Sequence, residues 1–124
     1  MKKSVSEINE ILRGFLKKHV PQLRIQADTE AKLEVSGTKE VMQGKKKVDG
    51  IYFATVMPKA KDARLYFFPI YTHPDAFANI SPALRKCLKG KSCFHIKKLD
   101  ESLEADIESM IDTGVKVYLE HSLL

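Results

Sequence analysis

Apolar positions recur at helical spacing near the two ends of the chain and at strand spacing between them. Ile8, Ile11, Leu12, Phe15 and Leu16 lie three or four residues apart, which predicts an amphipathic helix over residues 5–19. Ser4-x-x-Glu7 in front of it has the form of a capping box, and Pro21 closes it. Residues 22–30 show no period and read as a polar connection. Leu33 and Val35 alternate with Lys32, Glu34 and Ser36, the pattern of a half-buried strand, and Gly37 ends it. A second strand is expected around residues 39–43, followed by a turn over residues 44–50 that carries Lys45, Lys46 and Lys47.

Residues 51–57 and 63–68 are β-branched and aromatic, and the polar stretch 58–62 between them predicts an antiparallel hairpin. Pro69 has no amide for a ladder, so its strand is expected at an edge or bulged there. Ser81-Pro82 reads as an N-cap followed by proline in the first turn, with Leu84, Cys87 and Leu88 as the apolar stripe and Gly90 as the C-terminal cap. Residues 92–98 form a further strand with Phe94 and Ile96 facing the core. Asp100 caps a last helix, residues 101–119, whose Leu103, Ile107, Met110, Ile111, Gly114 and Tyr118 share one face. The predicted fold is α+β: an antiparallel sheet of about five strands, with the N- and C-terminal helices on one face.

That arrangement leaves a question about the second face. In residues 51–57 both parities are apolar: Ile51, Phe53 and Met57 alternate with Tyr52, Ala54 and Val56. The next strand repeats this, with Leu65 and Phe67 against Tyr66, Phe68 and Ile70. A sheet with one solvated face alternates apolar with polar. The expected solution is a homodimer through the second face; the competing one is the 81–89 helix and the 72–80 loop folding over it.

Length and composition narrow the class. A chain of 124 residues, 44% hydrophobic and 30% charged, is one soluble globular domain over residues 1–124. No apolar run is long enough to cross a bilayer, and in the basic start Met1-Lys2-Lys3-Ser4 the apolar region of a signal peptide is interrupted by Glu7, Asn9 and Glu10. Cys87 and Cys93 read as reduced thiols, which together with the missing signal places the protein in the cytoplasm. The net charge of +5 reads first as solvated lysines. There is no phosphate-loop glycine pattern, no helix-turn-helix and no aromatic RNA-binding signature, so nucleic acid is not an expected partner.

Candidate chemistry concentrates between Tyr66 and Asp100. Arg85, Lys86, Lys89, Lys91, Lys97 and Lys98 fall there with no acid between Asp75 and Asp100, whereas residues 100–112 carry six acids and no base. Cys93 and His95, two apart on a strand, face one side. His73 and Cys87 could approach them, but one short-spaced pair does not make a zinc site, and no metal ligand or catalytic residue is assigned. Glu101, Glu104, Glu108 and Asp112 form an acidic stripe at helical spacing, read as a solvated face favoured by the helix dipole. The residues expected to line a small-anion pocket at one sheet face are Arg64, Tyr66, Tyr71, His73, Cys93, His95 and Lys97.

The runs Tyr66-Phe67-Phe68-Pro69-Ile70-Tyr71 and Leu88-Lys89-Gly90-Lys91-Ser92-Cys93-Phe94-His95-Ile96-Lys97-Lys98-Leu99, followed by an acidic helix, resemble the YdhG-like family, a bacterial domain of unknown function. The resemblance spans roughly residues 30–120 and implies a small α+β fold in a cytosolic protein. It brings no established activity, although some members of the wider group are labelled frataxin-like iron chaperones. The first helix offers only Glu7 and Glu10 for such a role. Three functions follow: a non-enzymatic binding module for a small anionic ligand or a protein partner, which the residues favour; an iron-binding chaperone by resemblance; and a cysteine-dependent enzyme built on Cys93 with His73 or His95 as base. No cofactor is identified.

Overall fold

The sheet is antiparallel and has six strands in the order β1-β2-β5-β6-β8-β7 in the computed structural model, which describes residues 3–124. The strands are β1 (Arg24–Asp28), β2 (Leu33–Ser36), β5 (Tyr52–Pro58), β6 (Ala63–Phe67), β7 (Leu88–Lys89) and β8 (Cys93–Ile96). A separate hairpin pairs β3 (Val41–Gln43) with β4 (Lys46–Val48). Helices α1 (Val5–Lys17) and α4 (Glu101–Glu120) cover one face of the large sheet, as expected, joined there by the short α2 (Pro69–Thr72) and α3 (Pro82–Cys87). Met1 and Lys2, the first half of the basic N-terminal stretch, lie outside the described residues.

Local chemistry accounts for the helix starts. Ser4 Oγ accepts from the Glu7 amide and Glu7 returns a bond to the Ser4 amide, a closed capping box. Asp100 accepts from the Leu103 amide at 2.8 Å and Ser81 from the Leu84 amide at 3.1 Å. The first helix stops at Lys17, two residues before the expected end, in a series of turns that leads to Pro21.

Several elements differ from the sequence expectation, each for a physical reason. The stretch read as a polar connection contains β1, whose side chains are almost all exposed and which is held by backbone pairing to β2, so it shows no apolar period. Together β1 and β7 add two strands while the expected 39–43 strand pairs in the separate hairpin, so the sheet has six strands rather than five. The expected turn over residues 44–50 is shorter, because Lys46 to Val48 pair with Val41 to Gln43. Pro69 marks neither an edge nor a bulge: β6 is central and ends at Phe67, and Pro69 opens α2, where a missing amide costs nothing. Gly90 caps no helix. It takes φ +73° in the β7–β8 turn, where an L side chain would be strained.

The double apolar parity of β5 is resolved by a bulge. Val35 pairs with Ala54 but Ser36 pairs with Tyr52, so Phe53 is the extra residue and turns inward beside Ala54. It packs edge-on against Phe67 at 5.6 Å and Tyr118 at 5.8 Å. Tyr52, Thr55 and Met57 are left on the far face, and the Tyr52 and Thr55 hydroxyls bond to each other there. Phe77 and Leu84 are buried on the helical side, Phe77 against Phe67 at 5.3 Å. The 72–80 loop and the short helix therefore do not cover the second face.

Packing, rather than charge, holds the layers. Phe53, Phe67, Phe77, Phe94 and Tyr118 are fully buried, each contributing about 1.5–3 kcal/mol. The α1–α4 seam adds exposed ion pairs worth about 0–1 kcal/mol apiece: Lys18 with Glu108 and Asp112, both at 3.0 Å, and Lys3 with Glu104 at 4.0 Å. His19 Nε2 also meets Asp112 at 2.9 Å. The acidic stripe on α4 is thus largely an inter-helix seam rather than a free solvated face.

Candidate functional site

The β6–β8 register builds the site. Arg64 stands directly across from His95, and Tyr66 across from Cys93, so these four expected residues share the face opposite the helices. The tight turn into β6, closed by the Lys59 amide donating to the Asp62 carbonyl at 2.8 Å, sets the Asp62 side chain between them. That carboxylate is only 4% exposed. It accepts from Arg64 Nε at 3.1 Å and lies 3.6 Å from His95 Nδ1. Arg64 meets Asp62 through Nε rather than its Nη groups, its guanidinium also lies beside the Tyr66 hydroxyl, and His95 Nε2 makes no hydrogen bond among the described residues. The Asp62 carboxylate also raises the already high Arg64 pKa, so the guanidinium is charged at any ordinary pH.

Beyond this clamp the sheet edge opens. Strand β7 pairs with β8 only through Leu88–Phe94 and Lys89–Cys93, so no strand covers the outer edge of β8 past Phe94. A cleft of about 820 Å³ lies there. Its walls are Lys59 and Lys61 of the β5–β6 turn, Lys86 and Cys87 of α3, Lys89, the Lys97-Lys98 pair after β8, and Leu103 at the start of α4, with Asp62, Arg64 and His95 along one side. Seven lysines and arginines thus face one carboxylate, and that carboxylate is already engaged. The volume is that of a site for a small organic molecule, and the charge selects an anion.

The expected residues divide into three groups. Arg64, His95 and Lys97 line the cleft. Tyr66 and Cys93 sit one step along the same face, and Tyr71 lies further on, stacked on Phe68 at 5.8 Å. His73 belongs elsewhere: its ring packs on Tyr118 at 5.6 Å and His121 at 4.5 Å near the end of α4, and its Nδ1 meets Thr72 Oγ1 at 2.8 Å. Sequence reasoning missed Asp62, because a loop aspartate gives no sign that it will be buried. It also missed Lys59 and Lys61, which precede the basic cluster by more than twenty residues. Lys86, Lys89 and Lys98 were legible as charge, though not as lining.

The thiols bear on the enzyme reading. Cys87 and Cys93 are free, and burial pushes both above the ordinary thiol range; the Lys89 charge beside Cys87, and Tyr66 and Arg64 beside Cys93, offset it only in part. A nucleophilic cysteine is shifted the other way. Among the described residues no group of three or more His, Cys, Asp or Glu side chains could hold a metal ion. A second charged cluster, around the buried Arg13, is internally satisfied by Asn9, Asp28 and the Glu30 carbonyl. Lys47 pairs with Glu40 at 2.6 Å in the small hairpin. Comparison of the chain with protein families, curated proteins and solved structures finds no match.

Proposed function

We propose that the protein is a non-enzymatic binding module whose ligand is a small organic anion held in the basic cleft at the β8 edge. The observation that carries this reading is the buried Asp62 clamp. It holds Arg64 by a 3.1 Å bond, with His95 3.6 Å away on the same carboxylate, and is one carboxylate among seven cleft cations. Fixing a guanidinium before the ligand arrives lowers the ordering cost of binding, and its Nη pair, which Asp62 does not use, has the geometry to meet the two oxygens of a carboxylate or phosphate. The raised thiols and the paired α4 carboxylates favour this over a cysteine enzyme or an iron carrier.

Thermal unfolding in phosphate, pyrophosphate and citrate, with glycerol as the neutral control, tests it. An anion bound only by the folded chain raises the midpoint in a saturable way. Arg64→Ala should lower the fitted affinity about tenfold, the loss of one charge-assisted contact. Equal shifts for wild type and Arg64→Ala, or no anion-specific shift at millimolar concentration, would overturn the reading.

A further inference from the structure

The same sheet face carries a second feature that the cleft does not use. Phe68, the residue after β6, projects opposite to the core residue Phe67 and packs against Tyr52 at 5.5 Å. Tyr71 stacks on Phe68 with an interplanar angle of 26° and is 51% exposed. A large aromatic ring is thus stacked on Phe68 and half exposed, with the exposed Lys91 ammonium 5.6 Å from its centre. Lys89 stands in register with Cys93 and Tyr66 on the neighbouring strands, and Arg64 lies four residues before Phe68, about 13 Å along the chain at the rise of a strand.

We propose that this face binds single-stranded nucleic acid, with a base stacked on Tyr71 in place of the Lys91 ammonium and backbone phosphates running past Lys91 and Lys89 to Arg64 and Lys97. The proposal goes beyond the small-anion reading, because the cleft cations become one end of a longer track. Three observations favour this occupant. The face joins an exposed π-surface to a line of cations, the combination that holds single strands without sequence preference. Its cations outnumber its acids: Asp62 is buried against Arg64, and Glu34, in line with Thr55 and Tyr66 on the same face, is paired with Lys32 at 3.3 Å. A second copy of the chain docked here would set lysines against lysines. A flat sheet also presents no helix that could enter the groove of a duplex. The rings come from β5, the end of β6 and α2, so no linear motif announces them.

Fluorescence anisotropy with labelled oligothymidylate and oligouridylate of about a dozen nucleotides, and with a hairpin duplex of equal charge, tests the proposal. Single strands should bind at low salt, with log affinity falling linearly against log salt. Tyr71→Ala should weaken binding about tenfold with the salt slope unchanged, and Tyr71→Phe should restore it. Joint Lys89→Ala and Lys91→Ala substitution should reduce the slope itself. Tyr71 is half exposed, so its truncation leaves the core intact. No binding at low salt, equal binding of duplex, or wild-type affinity in Tyr71→Ala would each overturn the proposal. Pyrophosphate binding without oligonucleotide binding defeats this inference and spares the cleft reading; oligonucleotide binding without saturable binding of pyrophosphate or the other small anions does the reverse.

Discussion

Gly14 and Gly114 lie in the two long helices, and replacing each by alanine should change stability in opposite directions. Alanine is favoured over glycine in a helix interior by about 1 kcal/mol, and both sites receive that gain. Gly14 is exposed on α1, and a Cβ there meets nothing within 4 Å, so Gly14→Ala should stabilise by roughly that amount. At Gly114 a Cβ would lie 2.6 Å from Phe67 Cζ and 3.2 Å from Pro69 Cγ. Neither neighbour can yield easily. The Phe67 ring is boxed edge-on by Phe53 at 5.6 Å and Phe77 at 5.3 Å, and Pro69 is fixed by its ring at the start of α2. Overpacking in such a core costs about 1–3 kcal/mol, here toward the upper end. Gly114→Ala should therefore be destabilising by about 2 kcal/mol after the helical gain is subtracted. Urea unfolding of both variants reads the difference as midpoint shifts of opposite sign with unchanged slope. Shifts of the same sign would refute the close packing of α4 on β6.

Two further outcomes follow from titrating groups. Burial, then the neighbouring His121, holds the His73 imidazole below its usual 6.5, so the unfolded chain takes up that proton first. The stability associated with it is complete above about pH 6.5 and is lost as pH falls through the folded value; unfolding free energies measured from neutral to mildly acidic pH should fall less steeply in His121→Gln, and identical profiles would show that the pair is not coupled. Because burial raises both thiols, iodoacetamide should label Cys87 and Cys93 slowly at neutral pH and faster as pH rises past the ordinary thiol range; rapid labelling of either below neutrality would revive the cysteine-enzyme reading.

The helices were legible in the sequence because their signals are local. The Ser4–Glu7 capping box, the Asp100 cap and the apolar stripe from Leu103 to Tyr118 each depend on residues a turn or two apart. The β5–β6 hairpin was legible for the same reason. Strand β1 was not, since its partner β2 supplies the ordering and its own side chains face water. The inward turn of Phe53 was hidden too, because a bulge is a property of the pairing and not of one strand. At the candidate site, Arg64 and His95 could be placed on one face from strand parity. Their joint hold on Asp62 could not, because it depends on how a turn and two strands meet.

The edges of the large sheet bear on how the chain behaves when crowded. A long, flat, apolar edge recruits other strands and seeds aggregates. Here β1 is interrupted by a register shift between Ile25 and Ala27 and displays Arg24, Gln26 and Asp28. At the other side β7 is two residues long, and the uncovered end of β8 runs into Lys97 and Lys98. A neighbouring sheet arriving edge-on would meet a kink on one side and a bank of ammonium groups on the other. The charge proposed to attract a ligand thus also acts as a gatekeeper against fibrous growth, and neutralising those lysines, by acetylation for instance, would remove both effects at once.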